Sequence, residues 1–274
     1  MIFLEAIVFL LIALTIGIIG NIAGIGGGII LMIILLFFFR VNPVTASGMS
    51  LVTIMVSAIF GSVSNFRQRA VNLRLLTTIG IPASLGVLVG SYLIIHFEDP
   101  YFNYIFSFVS ITIGLFSLLV TRSDKRRNII EHGSFAERSV QLDYNSINQG
   151  RGANMQHLFT FLAGMAGGFL GIGIGGIVGT YLTAIRKINP KVAFSTTISA
   201  MVFTSLIGSS YHLFSIKPTV DLPLLIIALA IGAAIGALLG SSISSRIQFV
   251  KLRLAQGYII VSLGLITLFF TLFT

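Results

Sequence analysis

Long apolar runs, separated by short polar segments, cover nearly the whole chain. The runs extend over about 2–39, 44–64, 73–95, 101–120, 157–185, 192–211, 223–245 and 254–273. A helix needs about 20 mostly apolar residues to cross a bilayer, whereas the strands of a membrane barrel would alternate apolar and polar positions. The pattern therefore predicts an all-α polytopic membrane protein.

Composition agrees with this prediction. Of the 274 residues, 55% are hydrophobic and 9% are charged, whereas a soluble protein is about 25% charged. The first run has no basic segment and no cleavage site, so we interpret it as a retained helix. There is no cysteine, which excludes disulfides and thiolate chemistry. We expect a multi-pass protein of the cell inner membrane, without cofactor, metal or nucleic-acid partner.

The two halves of the chain resemble each other in sequence. The segment GIGGGIILMIILLFFFRVNPVTAS, from Gly24, matches GIGIGGIVGTYLTAIRKINPKVAF, from Gly171, at a constant offset of 147 residues. A glycine cluster and a later Asn-Pro pair recur together, which favours an internal duplication. The sequence thus predicts an N-terminal transmembrane repeat over 1–120, a polar linker over 121–156 and a C-terminal transmembrane repeat over 157–274.

The basic residues indicate how each repeat is threaded. If the glycine-broken run folds into a hairpin, fifteen Lys and Arg residues fall on the linker side and two on the other side. If it crosses once, the division is ten to seven. Basic residues concentrate on the cytoplasmic side, so we predict two inverted repeats with a cytoplasmic linker. Each repeat is a Gly-broken helical hairpin plus three transmembrane helices, an architecture typical of transporters.

The glycine clusters at the two hairpin tips are candidates for an anion site. A helix that begins inside the membrane presents free N–H groups and the positive end of its dipole. Glycine lets a ligand approach these groups closely. Two inverted tips can therefore hold a small anion at the midplane. The candidate substrate-binding residues are Asn21, Gly24, Gly26, Gly27, Gly28, Ser47, Ser50, Gly171, Gly173, Gly175, Gly176, Ser195, Thr196 and Thr197.

Each of these features has a second interpretation. Glycines also allow helices to pack closely, which is our interpretation of Gly232, Gly236 and Gly240 and suits Gly86/Gly90 and Gly164/Gly168. Serine and threonine hydroxyls in membrane helices often bond the carbonyl four residues earlier. For the hydroxyls that follow Asn42-Pro43 and Asn189-Pro190, anion binding and this back-bonding stay equally open. Both asparagines are expected to cap the helices that follow them.

Three polar residues near helix ends are candidates for proton or entrance roles. His212 is a candidate proton carrier, since a free histidine titrates near neutral pH, but the interpretation that we favour is an interfacial histidine wetted by the outer surface. Asn65 occupies the equivalent position in the first repeat. Arg67 can draw anions toward a cytoplasmic entrance or anchor lipid headgroups.

With these motifs the sequence resembles the sulfite exporter TauE/SafE family, also described as the TSUP family of membrane permeases. The resemblance covers both repeats and is carried by GIGGG before NPVTASGMSL and by GIGIGG before NPKVAFSTTIS. It implies multi-pass transporters that export sulfite, sulfonates and related sulfur oxyanions. The chain departs from the pattern at Met49, where threonine is expected, at Ile174, which interrupts the second glycine run, and in its long linker.

We therefore expect a secondary transporter, an exporter of a small sulfur-containing anion such as sulfite or an organosulfonate. An uptake permease or a passive anion channel of the same fold is the alternative. A Gly-x-Ser membrane protease is disfavoured because no suitable His–Ser pair is evident, so we expect no enzyme. The partners we expect are the anion and the lipid bilayer, and a glycine-rich helix face is compatible with a homodimer.

Overall fold

The helical architecture extends through both halves of the chain. The computed structural model describes residues 2–24, 26–97, 101–128, 152–186, 188–215, 222–244 and 249–273. These ranges contain α-helices and no strand. The all-α prediction is confirmed.

The helices form two series of five, one in each half. The first series comprises α1 (Ile2–Ala23), α2 (Gly28–Ile33, continued by a π-helical segment Ile34–Phe38), α3 (Pro43–Arg67), α4 (Leu73–Ile95) and α5 (Phe102–Asn128). The second comprises α6 (Gly152–Leu170), α7 (Gly175–Ala184), α8 (Pro190–Ser215), α9 (Leu222–Ser244) and α10 (Phe249–Phe273). Helices α5 and α6 extend into the segment predicted as a linker, whose middle, 129–151, lies outside the described residues.

Long apolar helices confirm the membrane prediction. Six helices of the described part are long and apolar enough to cross a bilayer. They cover Leu4–Ile22, Pro43–Arg67, Leu73–Ile95, Phe102–Leu119, Lys191–Ser215 and Leu222–Ile243. Shorter apolar helices lie at Gly28–Phe38 and Gly257–Leu272. The chain is therefore a multi-pass membrane protein.

Both glycine-broken runs fold back on themselves. In the first, the Gly26 N–H donates to the Gly20 carbonyl (3.2 Å), and the rings of Phe9 and Phe39 lie 4.5 Å apart. Helix α2 therefore runs back along α1 until it lies beside the first third of that helix. The predicted hairpin is confirmed here.

The second hairpin has the same construction. The Ile172 N–H donates to the Gly167 carbonyl (3.1 Å), and the rings of Phe159 and Tyr181 stack at 4.2 Å. Helix α7, with 10 residues, is about 15 Å long at 1.5 Å per residue. It therefore returns only part of the way across a hydrocarbon core of about 30 Å.

Asparagine residues start the helices after both hairpins. The Asn42 side chain accepts a hydrogen bond from the Val44 N–H (2.9 Å), and the Asn189 side chain accepts one from the Lys191 N–H (2.9 Å). Each proline then takes the first helical position, where its missing N–H is not needed. Both predicted caps are confirmed.

Helices from one half pack mainly on helices from the other. The main contacts join α1 with α9, α4 with α6, α5 with α10, α3 with α8, α4 with α8, and α3 with α9. If each helix is replaced by its counterpart in the other series, α1 by α6 and so on, the same six helix pairs result. The two halves are therefore interlocked around α3 and α8.

The directions of the central helices follow from single contacts. The hydroxyls of Ser62 on α3 and Ser199 on α8 are 2.7 Å apart, and the Asn72 N–H donates to the Thr196 hydroxyl (3.1 Å). The end of α3 thus lies beside the first part of α8, so α3 and α8 run antiparallel. These two helices are counterparts in the two series.

Glycines allow close contact between α4 and α6 and between α1 and α9. A Cβ atom at Gly86 or Gly90 of α4 would overlap backbone of α6, and one at Gly164 or Gly168 of α6 would overlap backbone of α4. In the other pair, Gly232, Gly236 and Gly240 of α9 meet Leu10, Leu14 and Ile18 of α1. The packing interpretation of these glycines is confirmed. Because these faces are occupied within the chain, a homodimer would need another surface.

Candidate functional site

The two hairpin tips have backbone that favours glycine. The φ angles are +70° at Gly24, +76° at Gly26, +78° at Gly27, +65° at Gly171 and +71° at Gly173. Residues other than glycine rarely adopt this left-handed backbone conformation, because their Cβ atom then approaches the following carbonyl oxygen. The glycine clusters therefore allow each chain reversal inside the protein.

The tips from the two halves touch each other. A Cβ atom at Gly28 would lie 3.0 Å from the Gly171 carbonyl oxygen and 2.9 Å from that of Ile172. The Ser50 hydroxyl of α3 donates to the Gly171 carbonyl (2.6 Å) and lies 3.4 Å from the Gly28 carbonyl. Ser50 therefore joins the two tips, and its hydroxyl bonds a carbonyl outside its own helix.

Two apolar side chains occupy the space beside the tips. A Cβ atom at Gly173 would lie 3.1 Å from the Met201 methyl carbon and 3.3 Å from Ile54 Cδ1. At Gly26 it would meet the same methyl group and lie 3.5 Å from Ile54 Cγ2. Ile54 lies near the middle of α3 and Met201 near the middle of α8, so the tips lie about halfway along these helices.

The flanks of the tips are covered by α3 and α8 as well. The ring of Phe194 on α8 packs where a Cβ atom at Gly24 or Gly179 would be. The Ser47 hydroxyl on α3 lies 3.3 Å from the Gly168 carbonyl, and a Cβ atom at Gly171 would lie 2.7 Å from that hydroxyl. Gly27 faces away from this contact, toward Ile16 of α1.

Helix N-termini at both tips carry N–H groups that their own helices do not use. The helical hydrogen bonds begin with the Leu31 N–H and the Gly27 carbonyl (3.2 Å) in α2, and with the Val178 N–H and the Ile174 carbonyl (2.9 Å) in α7. The N–H groups of the preceding residues have no partner within the helix. They belong to Gly28, Ile29, Ile30, Gly175, Gly176 and Ile177.

The threonine hydroxyls at the start of α8 are hydrogen-bonded within the protein. The Thr197 hydroxyl donates to the Ala193 carbonyl four residues earlier (2.7 Å). The Thr196 hydroxyl accepts from the Asn72 N–H (3.1 Å), and the buried Ser195 provides the carbonyl that accepts from Ser199 (3.0 Å). Back-bonding thus describes Thr197, whereas Thr196 links α8 to the start of α4.

Asn21 joins the first hairpin to α3. The residue is 6% exposed, and its side-chain amide donates to the Ser57 hydroxyl (2.7 Å) and to the Gly17 carbonyl (3.1 Å). This fixes the last turn of α1, just before the tip. Of the proposed entrance residues, Asn65 is partly buried and Arg67 is exposed at the end of α3.

His212 does not lie at the wetted surface. Its side chain has no exposed area, so the interpretation as an interfacial histidine is wrong. The helix α8 carries it past the middle of the protein to the end of α6, where the ring lies beside the backbone of Gly168 and of Val44.

The interior of the described part contains polar side chains but no charged ones. Its buried polar side chains belong to Ser, Thr, Asn and Gln residues and to His212, with no Asp, Glu, Lys or Arg among them. The described residues contain no group of three or more His, Asp or Glu side chains suited to a metal ion. A bound anion would therefore be held by N–H groups, hydroxyls and helix dipoles.

Sequence reasoning missed three residues that line the tips, namely Ile54, Met201 and Phe194. Apolar residues in an apolar helix give no chemical signal of their own. One signal was nevertheless present, because Ile54 and Met201 are separated by the 147-residue offset of the repeat, as are Gly26 and Gly173. Pairs that share this offset are therefore informative even when they are hydrophobic.

Comparisons with known proteins agree with this architecture. The family model described as Sulfite exporter TauE/SafE matches residues 9–267. A curated relative, the "Probable membrane transporter protein YunE" of Bacillus subtilis (strain 168), is 24% identical over 217 residues, which cover 76% of this chain and 78% of that protein. No solved structure matches the chain. The family match includes both glycine tips.

Proposed function

Because the chain belongs to the sulfite exporter TauE/SafE family of membrane transporters, we propose that it carries a small sulfur oxyanion such as sulfite or an organosulfonate. The observation that carries this proposal is the meeting of two hairpin tips halfway along α3 and α8. At each tip a helix begins with N–H groups that the helix does not use. This arrangement supports a site at which two positive helix ends would act on one buried anion.

The anion site that we propose lies between α2 and α7. Backbone N–H groups at the starts of these helices would bind the oxygens of the anion, as at other helix N-termini. In the present conformation Ile54 and Met201 fill the adjacent space, and the Ser50 hydroxyl is bonded to the Gly171 carbonyl. Binding therefore requires these side chains to move. The freed hydroxyls of Ser50 and Ser47 would then donate to the anion.

We infer that the two halves are inverted repeats. The counterpart helices α3 and α8 run antiparallel, and the helix contacts are unchanged when the halves are exchanged. In such transporters, substrate sites lie near the midplane at the repeat interface. The meeting of the glycine tips halfway along α3 and α8 supports a substrate site of this kind.

Export is the direction we propose, from an inner membrane with a cytoplasmic linker. The fifteen basic residues on the linker side support this orientation. A negative interior favours the exit of an anion by about 2.3 kcal/mol per charge for every 100 mV. Uptake would need a coupled cation or proton, and a passive channel of the same fold is the other alternative.

Flux measurements in proteoliposomes test the proposal. Purified protein is assayed with sulfite, thiosulfate, sulfate and sulfoacetate, and we expect saturable flux of at least one of them with counterflow, which a channel does not show. Replacing Gly26 or Gly175 with Val should abolish that flux, because side chains then enter the tips. A Gly80→Ala variant is the control, since its Cβ would lie 3.9 Å from the nearest atom, on Ala200. Undiminished flux in the tip variants would refute the site.

A further inference from the structure

His212 carries hydrogen-bonding capacity that the described protein leaves unused. The side chain is completely buried, and neither Nδ1 nor Nε2 has a hydrogen-bond partner within the described residues. A neutral imidazole has one donor and one acceptor. Leaving such a group buried and unpaired is unfavourable, so this position is expected to take up a proton or a polar ligand.

Other unpaired polar groups lie along the same face of α8. Gly208 precedes His212 by one helical turn, and a Cβ atom there would lie 3.5 Å from the Ser91 hydroxyl of α4. The buried hydroxyl of Ser91 has no partner in the described part of the chain, and the same is true of Ser205, three residues before Gly208. Residues three or four apart share a helix face. A row of unpaired polar groups therefore leads along α8 to His212.

The ring is connected to the second hairpin tip through two residues. His212 lies beside the backbone of Gly168, and the Gly168 carbonyl is also 3.3 Å from the Ser47 hydroxyl. Ser47 in turn contacts Gly171 at the tip. A protonated imidazole donates from both nitrogens. It would therefore compete with Ser47 for the Gly168 carbonyl and change the contact that holds the tip.

No charged side chain of the described residues is buried with the ring. Helix α3 places Val44 and α6 places Gly168 against it, and neither residue titrates. The titratable groups near this end of α4 are Tyr92 and His96, which are exposed and stack on each other at 4.3 Å. On α8 itself Tyr211 is partly exposed. A positive charge on His212 would thus have no counter-ion among these helices, and a bound anion at the tip would supply one.

We propose that His212 binds the proton that accompanies the anion through this transporter. The inference rests on the function proposed above and adds its coupling ion. An anion at the tips stabilises the protonated ring, and by reciprocity the protonated ring strengthens anion binding. The proton therefore moves in the same direction as the anion. Export would then carry protons outward with the substrate, and each proton would remove one negative charge from the electrical driving force for exit.

Proton movement during thiosulfate flux tests this inference, because thiosulfate keeps its charge near neutral pH. Proteoliposomes of the full chain contain a pH-sensitive dye, and an imposed thiosulfate gradient should move protons with the anion. A His212→Gln variant should move thiosulfate without protons, or with flux that no longer depends on pH. His96→Gln is the matched control and should behave like the original protein, since that ring is exposed.

A binding measurement covers variants with impaired transport. In weakly buffered detergent solution, adding thiosulfate to the purified protein should cause proton uptake, which His212→Gln should lose while His96→Gln keeps it. Thiosulfate affinity should change about 5- to 150-fold with protonation, the range typical of coupled sites. Proton uptake that persists in His212→Gln overturns the inference. Anion flux without protons in the original protein also overturns it and leaves the transport function standing, whereas the absence of flux for every anion refutes both.

Discussion

Ile54 and Met201 take equivalent positions in the two halves and contact the same two glycines. A Cβ atom at Gly173 would lie 3.3 Å from Ile54 Cδ1 and 3.1 Å from the Met201 methyl group, and a Cβ atom at Gly26 would meet both side chains as well. Both side chains are completely buried. The space beside the tips is thus closed by one apolar side chain from each repeat, so transport through it requires α3 and α8 to separate or these side chains to turn away.

Linking these two residues should stop transport. The chain contains no cysteine, so a double variant with Ile54→Cys and Met201→Cys has a single thiol pair. We expect a short bifunctional methanethiosulfonate, which joins the two thiols through disulfide bonds, to abolish thiosulfate flux in proteoliposomes, because the cross-link holds α3 and α8 together. A reductant should cleave these disulfides and restore the flux. Each single-cysteine variant should keep its flux after the same treatment. Full flux in the cross-linked double variant would show that the closure at Ile54 and Met201 does not open during transport.

The left-handed backbone at the tips should make alanine destabilising there. Gly173 has a φ angle of +71°, and the nearest atom to an added Cβ is the flexible end of Met201. The backbone cost therefore dominates, and we expect Gly173→Ala to lower stability by about 1–2 kcal/mol. Gly80→Ala lies inside α4 with room for a methyl group, so it should be neutral or stabilising by up to about 1 kcal/mol. Thermal unfolding in detergent compares the two, and equal midpoints would contradict this account.

The hairpins could be predicted because loops along the whole chain carry Lys and Arg residues. The Lys and Arg residues lie in the polar loops between apolar runs. Their distribution over these loops distinguishes a glycine-broken run that crosses the membrane once from one that folds back. The caps at Asn42 and Asn189 are local features, with partners two residues away, and were predicted for the same reason. The caps depend on neighbouring residues, and the hairpins depend on how basic residues are distributed over the loops. Both can be read directly from the sequence.

The contacts between the tips could not be predicted in this way. Ser50 bonds Gly171, which is 121 residues away, and the identity of that partner depends on how the two halves interlock. The sequence left two alternatives for the Ser50 hydroxyl, anion binding or back-bonding, and the described contact is neither of these. His212 was misplaced for a related reason, because its position near a helix end suggested a surface whereas the end of α6 covers it.

Loss of the Ser50 hydroxyl should destabilise the protein more than loss of a back-bonded hydroxyl. Ser50→Ala leaves the buried Gly171 carbonyl without this donor, which costs about 1–3 kcal/mol. Thr53 on the next turn donates to Met49 in its own helix (2.8 Å), and that carbonyl keeps its helical partner. Thr53→Val should therefore cost less than about 1 kcal/mol. Thermal unfolding of both variants in the same detergent measures the difference, and a smaller loss for Ser50→Ala would contradict the proposed link between the tips.

Equivalent residues after the two hairpins should lie on opposite faces of the membrane. Arg40 and Lys187 are separated by the 147-residue repeat offset, and inverted repeats place Arg40 outside and Lys187 with the basic cytoplasmic loops. In the cysteine-free chain, a membrane-impermeant maleimide applied to intact cells should label Arg40→Cys at once and Lys187→Cys only after permeabilisation. A cysteine at Ile81, which is 64% exposed on the apolar helix α4, should resist labelling in both conditions because it faces lipid. Labelling of Arg40→Cys and Lys187→Cys from the same side would exclude inverted repeats, and labelling of Lys187→Cys alone in intact cells would reverse the orientation on which export depends.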